Sequence, residues 1–311
     1  MSVFHKDLRW GRFLPPISIG PRLSRLANRS PVRSPAAPDD IIVTDLEVPG
    51  PAGAPAVPVR MYRPRSARGD IPVLVWMHGG GMILGNHLSE QASNVAFARD
   101  LGIAVVSVGY RLSPGSPAPA AVEDCYAVLE WLVAHARAQA VDATRIAVGG
   151  ASAGGGLAAA TSLLAHDRGR IAPAFQLLVY PMLDDRTVLR TDLDTTDARF
   201  WLPGSNRYAW SAYLGEDPGG PDVSAYAAPA RRADLSGLPP AWIGVGTLDL
   251  FHAEDVRYAD RLSQAGVAVE LEVVPGAFHG FDVLFKNTPV SRDFWNAQSD
   301  ALRRGLVDGE S

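Results

Sequence analysis

From Pro72 onward, short apolar runs alternate with segments of helical pattern. The runs are rich in Val, Ile and Leu, and they cover residues 73–77, 103–108, 145–149, 175–180, 241–245 and 269–274. Strands that are hydrophobic along their whole length are buried on both faces, as in parallel sheets covered by helices. The pattern therefore predicts an α/β protein with a mostly parallel central sheet and helices on both faces.

Two segments nearer the N-terminus depart from this rhythm. Residues 41–48 and 57–62 read as strands separated by the Pro-Gly-rich segment 49–55, which predicts an antiparallel pair at a sheet edge. Residues 1–40 contain six prolines, which exclude a long helix. We assign these residues to an N-terminal arm of a cap, and residues 41–311 to the main domain.

The interval that follows the run at 175–180 is too long for a single helical connection. We assign residues 185–238 to an insertion that covers the C-terminal edge of the sheet as part of the cap. Its aromatic side chains, Trp201, Tyr208 and Trp210 among them, would form an apolar wall for a bound ligand. The alternative, that these aromatics form only the small core of the insertion, stays open.

Composition places the chain among globular proteins and argues against several functions. The chain has 311 residues, of which 47% are hydrophobic, and its formal net charge of −4 disfavours a nucleic-acid surface. The only locally basic segment, 22–33, reads as a solvated arm. The single Cys125 excludes an intramolecular disulfide and a zinc cluster built from thiols. No apolar stretch has the length of a signal peptide or a membrane span, so we expect a cytoplasmic protein without stable membrane insertion.

The segment Gly-Ala-Ser-Ala-Gly at 150–154 places a serine between a predicted strand, 145–149, and a predicted helix, 153–164. In such an elbow the serine occupies a strained strand-to-helix turn with its hydroxyl exposed. Small neighbours let the strand and the helix approach each other. The motif alone is weak evidence, but this context makes Ser152 the candidate nucleophile.

A serine nucleophile requires a histidine base and a carboxylate that fixes the tautomer of that histidine. His279 lies in a Gly-flanked loop after the last predicted strand, and Asp249 lies in the loop after the preceding one. Both loops are expected at the C-terminal edge of the sheet. The chain order Ser152, Asp249, His279 is typical of an α/β-hydrolase.

Other residues stay open as alternatives for the base and the acid. His252 follows Asp249 by only three residues, and His78 belongs to a glycine loop in which its ring more simply braces the backbone. The alternative carboxylates are Glu254, Asp255, Asp184 and Asp185.

The glycine loop His-Gly-Gly-Gly at 78–81 follows the predicted strand 73–77. Glycine lets main-chain N–H groups approach a developing oxyanion without interference from a Cβ atom. We assign the oxyanion hole to the N–H groups of Gly79, Gly80 and Ala153.

Residues 154–159 also match a loose G-x-G-x-x-A dinucleotide fingerprint. The match begins inside a predicted helix, no acidic residue ends the next strand, and no Lys follows the glycines as a phosphate loop requires. We therefore expect no nucleotide, no other cofactor and no metal.

Several short motifs occur in a characteristic order. They are His78-Gly-Gly-Gly, Tyr110-Arg-Leu-Ser-Pro, Pro119-Ala-Ala-Val-Glu-Asp-Cys, Gly150-Ala-Ser-Ala-Gly-Gly, Tyr180-Pro-Met-Leu-Asp, Asp249-Leu and Ala277-Phe-His-Gly-Phe. In this order the chain resembles the hormone-sensitive-lipase-like esterases, bacterial lipolytic family IV. It departs from them in three ways: Ala151 stands where the family usually has Asp or Thr, Ser-Pro-Gly at 113–115 replaces a frequent Ala-Pro-Glu, and the N-terminal arm is richer in proline.

The resemblance implies an α/β-hydrolase fold with a small helical cap and a small-molecule ester substrate. It implies cofactor-free hydrolysis of short- to medium-chain acyl esters through the Ser-His-Asp triad and an acyl-enzyme, with the oxyanion donors assigned above. Members of the family are frequently homodimers. Two rival functions stay open: an amidase or peptidase using the same triad, and a non-catalytic receptor for a small ligand.

Overall fold

The computed structural model describes residues 3–29 and 36–308. In these residues one eight-stranded sheet has the order β1-β2-β4-β3-β5-β6-β7-β8. The strands are β1 Ile41–Val48, β2 Val57–Pro64, β3 Ile71–Met77, β4 Ala104–Val108, β5 Val141–Ala151, β6 Phe175–Val179, β7 Ala241–Gly246 and β8 Val269–Val274. β2 runs antiparallel to β1 and to β4, and every other neighbouring pair is parallel. The predicted parallel sheet and its antiparallel edge pair are confirmed.

The helices cover both faces of the sheet. They are α1 Pro21–Arg29, α2 Gln91–Leu101, α3 Ala120–Ala134, α4 Ala136–Gln139, α5 Ala153–Arg168, α6 Pro203–Leu214, α7 His252–Gln264, α8 Phe281–Leu284 and α9 Pro289–Leu302. Short 3-10 helices lie at Lys6–Phe13, Asp185–Leu189 and Pro229–Arg231, and a π-helical segment lies at Arg303–Asp308. No helix in the described ranges is long and apolar enough to cross a bilayer.

Strand β3 shows why the core forms on both faces. All seven of its residues are buried. Val73 and Val75 contribute to the apolar cluster on one face of the sheet, whereas Leu74 and Trp76 contribute to the cluster on the other. Because successive side chains of a strand point to opposite faces, a run without polar residues forces cover on both sides.

The N-terminal arm packs on the segment between β6 and β7. The Ile19 N–H donates to Ser205 Oγ at 2.8 Å, and Asn28 Nδ2 donates to the carbonyl of Ile83 at 2.8 Å. α6 is the longest helix that the structure describes between β6 and β7. The arm and α6 therefore lie together near the loop that follows β3, at the C-terminal edge of the sheet.

Candidate active site

Ser152 occupies a sharp turn between the end of β5 and the start of α5. Its backbone has φ 56° and ψ −118°, a conformation that non-glycine residues rarely adopt. Two backbone hydrogen bonds hold the turn: the Ser152 N–H donates to Val179 O at 2.8 Å, and the Met182 N–H donates to Ser152 O at 3.0 Å. Backbone strain of this kind persists only where the surroundings determine it, and it is common at functional sites.

Glycines on either side of this turn allow the chain to pack tightly. A Cβ atom on Gly154 would overlap the carbonyl oxygen of Met77, and one on Gly150 would overlap the backbone of Gly154. The end of β3, the serine turn and the first turn of α5 are therefore in direct backbone contact. The G-x-S-x-G spacing is a packing requirement of this elbow.

The three side chains predicted to act together do meet. His279 Nε2 lies 2.9 Å from Ser152 Oγ, and His279 Nδ1 lies 2.7 Å from Asp249 Oδ2. The exposed fractions of Ser152, Asp249 and His279 are 7%, 7% and 3%, so the contacts are shielded from solvent. The second carboxylate oxygen of Asp249 accepts the Phe251 N–H at 2.9 Å. The acid is therefore fixed from both sides.

Aromatic rings hold the imidazole of His279 in place. Tyr180 and Phe251 meet it edge to face, with centroid distances of 4.7 Å and 5.2 Å. The Tyr180 hydroxyl donates to Asp282 Oδ1 at 3.0 Å. Burial raises the pKa of Tyr180 well above its usual value, so the phenol keeps the proton that it donates. Tyr180 stands in one of the motifs of the sequence analysis, but neither Tyr180 nor Asp282 was given a role there.

The alternative bases have other positions. His78 is fully buried, stacks on Tyr110 at 4.2 Å and contacts the Gly79 carbonyl through Nδ1 at 2.7 Å. Burial lowers the pKa of His78 to about 4, so its ring stays neutral and braces the glycine loop. His252 begins α7 and lines a cavity of about 210 Å³ between residues 192–198, in the segment that joins β6 to β7, and the loop that carries Asp249.

The alternative acids make structural contacts of their own. Asp184 pairs with Arg186, and Asp185 pairs with Arg231. Glu254 accepts the N–H groups of Leu183 and Asp184 at 2.7 Å and 3.1 Å and a hydrogen bond from Thr187. Asp255 is fully buried, and neither of its carboxyl oxygens has a hydrogen-bond partner in the described residues. None of these four carboxyls makes a hydrogen bond to His279 in the described part of the chain.

The glycine loop requires a correction to the oxyanion assignment. The Gly79 N–H donates to Glu90 Oε1 at 2.9 Å, so it is already engaged and is not free to stabilise a substrate oxyanion. The N–H groups of Gly80, Gly81 and Ala153 make no hydrogen bond within the described residues. Gly79 nevertheless lies close to the nucleophile, because a Cβ atom placed on it would be 3.7 Å from Ser152 Cβ. The loop is thus in the predicted place, but the set of free donors is different.

Glu90 is a residue of this site that the sequence interpretation missed. Its other carboxylate oxygen accepts Trp76 Nε1–H at 2.6 Å, so each oxygen has one N–H donor. Burial raises the pKa of Glu90, although both hydrogen bonds act in the opposite direction. Glu90 immediately precedes α2, and no catalytic motif of the sequence includes it.

The three aromatic residues predicted to line the pocket occupy different environments. Trp201 packs on Gly81, and its ring centroid is 6.4 Å from that of His279. The Tyr208 hydroxyl is 3.2 Å from Ser24 Oγ on α1, whereas Trp210 is fully buried beside Tyr213. Trp201 therefore lies at the triad, while Tyr208 and Trp210 contribute to the packing of α6.

Phe200, another of the aromatic residues of the segment 185–238, also lies at the triad. Its ring stacks on His279 at a centroid distance of 6.5 Å, and it is 51% exposed. Phe200 and Trp201 together form an apolar wall beside the imidazole.

No group of three or more His, Cys, Asp or Glu side chains capable of holding a metal ion occurs within residues 3–29 and 36–308. Cys125 is buried on α3, and burial raises the pKa of its thiol well above the usual value. The cysteine is therefore neither ionised nor accessible.

Comparisons with known proteins agree with this geometry. Residues 74–283 match the model of a family described as having the alpha/beta hydrolase fold. The carboxylic ester hydrolase LipN of Mycobacterium tuberculosis is 39% identical over 280 residues, which cover 85% of this chain and 70% of LipN. The ethyl acetate hydrolase of Pseudomonas putida is 36% identical over 242 residues, which cover 72% of this chain and 71% of that enzyme. The structure of a bacterial heroin esterase aligns with a TM-score of 0.88 and 39% identity over 98% of both chains.

Proposed function

The chain belongs to the α/β-hydrolase family, in its hormone-sensitive-lipase-like group of esterases, and from this premise we propose that it hydrolyses carboxylic esters with short to medium acyl chains. The observation that carries the proposal is the continuous contact from Ser152 through His279 to Asp249, with distances of 2.9 Å and 2.7 Å. A buried serine, imidazole and carboxylate in this arrangement form an activated nucleophile.

In the proposed reaction, Ser152 Oγ attacks the ester carbonyl carbon while His279 Nε2 takes the hydroxyl proton. Asp249 accepts the Nδ1–H of His279, which keeps Nε2 free as a base and stabilises the imidazolium that forms. The N–H groups of Gly80, Gly81 and Ala153 are the proposed donors to the tetrahedral oxyanion.

Collapse of the tetrahedral intermediate expels the alcohol, which takes the proton from His279 and leaves the acyl group on Ser152. Water then attacks the acyl-enzyme by the same route, with His279 again acting as base. Because His279 carries each proton in this scheme, the proposed chemistry calls for no cofactor and no metal.

Two considerations support esters with small acyl groups as substrates. Phe200 and Trp201 place apolar surface directly beside His279, where part of the substrate would lie. The relative from Pseudomonas putida is named for ethyl acetate, an ester of this size.

The test combines covalent labelling with kinetics. An organophosphate should label Ser152, and the Ser152→Ala variant should lose the label and at least about 10³-fold in kcat while keeping its fold. Ser162→Ala is the matched control, because Ser162 is a buried serine on α5 whose hydroxyl donates to Ala158 O. This control should retain both labelling and turnover.

The same test separates the rival functions. A non-catalytic receptor would not be labelled. An amidase or peptidase would cleave the anilide with the same acyl group as the ester, whereas the proposed esterase should leave that anilide essentially uncleaved. Across p-nitrophenyl esters from acetate to palmitate we expect the highest kcat/KM among the short and medium chains. A maximum at the longest chains would contradict the proposed substrate class.

A further inference from the structure

Charge is distributed unevenly between the N-terminal arm and the rest of the protein. Residues 3–29 contain one acidic side chain, Asp7, and six basic ones. The basic side chains are Lys6, Arg9, Arg12, Arg22, Arg25 and Arg29. This segment has a formal charge of +5 in a chain whose total is −4, so the remainder carries −9. The arm is therefore strongly cationic on an acidic protein.

The same segment exposes large apolar side chains. Trp10, Phe13 and Ile17 are 60%, 63% and 59% exposed, and Leu23 on α1 is 46% exposed. The Arg9 guanidinium lies 5.7 Å from the centroid of the Trp10 ring, and the Arg12 guanidinium lies 4.6 Å from that of Phe13. Aromatic and cationic groups are thus presented together.

Packing places the arm against Phe278 and the start of α9. A Cβ atom on Gly11 would overlap the ring of Phe278, which immediately precedes His279. The Val290 N–H donates to Asp7 Oδ2 at 3.3 Å, so the 3-10 helix of the arm also lies against the start of α9. The arm is consequently fixed next to the loop that carries the proposed base.

Three further apolar side chains are exposed next to His279 in space or in sequence. Phe200 stacks on its ring, and Val283 and Leu284 lie on α8 just after it, with exposed fractions of 51%, 63% and 41%. Within the described ranges, two large apolar side chains are exposed elsewhere, apart from the arm and these three residues. They are Ile42 and Leu189. The exposed large apolar side chains are therefore concentrated in the arm and around the loop that carries His279. We use the name apolar rim for Trp10, Phe13, Ile17 and Leu23 of the arm together with Phe200, Val283 and Leu284.

The charge around the apolar rim determines which partner fits it. Exposed aromatic groups interleaved with Arg and Lys are typical of protein surfaces that bind anionic lipid, where the rings enter the headgroup region and the cations meet phosphate. A two-fold contact between copies of the chain would place two arms of charge +5 against each other, which is unfavourable.

We propose that the apolar rim and the basic side chains of residues 3–29 form a docking surface for anionic lipid bilayers, with the catalytic mouth facing the lipid. This is binding at the surface and not insertion. It replaces our interpretation of the basic segment as a merely solvated arm for residues 22–29, while residues 30–33 lie outside the described part of the chain. The proposal does not depend on ester hydrolysis.

The experiment uses the full chain carrying Ser152→Ala, so that its outcome is independent of the proposed activity. Co-sedimentation is measured with vesicles of equal parts phosphatidylglycerol and phosphatidylcholine, and with vesicles of phosphatidylcholine alone. We expect binding to the anionic vesicles only, and weaker binding as salt is raised. The double variant Trp10→Ser/Phe13→Ser should lose this binding, and Arg9→Gln/Arg12→Gln should weaken it about thirty-fold.

Ile42→Ser/Leu189→Ser is the matched control, because it removes two exposed apolar side chains elsewhere and should bind like the parent. Folding of each variant is checked by circular dichroism and thermal unfolding in the same Ser152→Ala background. Failure of the parent to bind anionic vesicles at low salt would overturn the proposal. Equal binding by the Trp10→Ser/Phe13→Ser variant and the control would do the same. A lipid-free dimer that this variant abolishes would show that a second copy covers the rim.

Discussion

The carboxylate of Glu90 holds the backbone of Gly79 through a hydrogen bond of 2.9 Å, and within the described residues it makes no hydrogen bond to the triad. Its second oxygen accepts a hydrogen bond of 2.6 Å from Trp76 Nε1–H on β3, the strand that precedes the glycine loop. Glu90 thereby links Gly79 to the side chain of Trp76 and fixes the start of the glycine loop, directly before Gly80 and Gly81. It is a positioning residue for the proposed oxyanion hole.

Replacing Glu90 should therefore lower kcat more than it changes KM. Glu90→Ala removes both acceptors, and we expect a loss of about 10- to 100-fold in kcat, because misplaced oxyanion donors weaken transition-state binding. Glu90→Gln should also be impaired, since its NH₂ group would face one of the two N–H donors. Steady-state kinetics on p-nitrophenyl butyrate, together with thermal unfolding, measure both effects.

Trp76→Phe provides the control for this prediction. It removes the donor to Oε2 but leaves the hydrogen bond to Gly79, so its kcat should stay closer to that of the parent. If Glu90→Ala raised KM with kcat unchanged, the loop would serve substrate binding and not the transition state.

The acid of the triad gives a second prediction. Asp249→Asn should lower kcat by about 10³- to 10⁴-fold, because the amide would donate to Nδ1 and leave the proton of His279 on Nε2, facing Ser152. Asp184→Asn is the matched control, since Asp184 pairs with Arg186 and was an alternative acid on sequence grounds. A larger loss of kcat in the Asp184→Asn variant would indicate that Asp184, in the loop after β6, is the acid of the triad.

Much of the fold was predictable because parallel strands buried on both faces leave an uninterrupted apolar signature. The prediction was less accurate where that signature ends. Strand β5 begins at Val141 and not at residue 145, because residues 142–145 are partly or fully exposed and three of the four, Asp142, Thr144 and Arg145, are polar. Hydrophobicity marks the buried part of a strand and not its exposed extension.

The residues of the candidate site were likewise predictable only in part. Ser152, Asp249 and His279 could be chosen because each follows a recognisable strand, and the topology of a parallel sheet brings such positions to one edge. Glu90 could not be chosen, since its role depends on a loop that folds back over eleven residues to reach Gly79. The same holds for the Tyr180–Asp282 contact across 102 residues. No local periodicity encodes contacts of this kind.

The three predicted pocket aromatics should respond differently to truncation. Trp201→Ala removes the ring beside His279 and should change the preference for acyl or alcohol group, seen as altered relative kcat/KM across an ester series. Trp210→Ala should instead destabilise the protein by about 3–5 kcal/mol, because Trp210 is fully buried. Tyr208→Phe loses only the hydroxyl contact with Ser24, so it should change neither the substrate preference nor the stability strongly. A change of preference confined to Trp210→Ala would assign the pocket wall to that residue.

The buried carboxyl of Glu254 predicts how stability depends on pH. Burial raises its pKa to about 8, although hydrogen bonds from Leu183, Asp184 and Thr187 act in the opposite direction. In the unfolded chain this carboxyl loses its proton near pH 4.5. Between these two values the folded protein therefore binds a proton that the unfolded chain releases.

Because unfolding releases this proton, rising pH favours the unfolded chain. The free energy of unfolding should fall between about pH 5 and about pH 8, and Glu254 should contribute up to about 1.4 kcal/mol per pH unit to that slope. Glu254→Gln, which is neutral throughout, should show a shallower slope in urea unfolding. Part of the slope should remain in the Glu254→Gln variant, because burial also raises the pKa of Asp255 well above its usual value. Asp260→Asn is the control, because Asp260 lies on the exposed face of α7, and this variant should keep the slope of the parent protein. An unchanged slope in Glu254→Gln would show that another group takes up the proton.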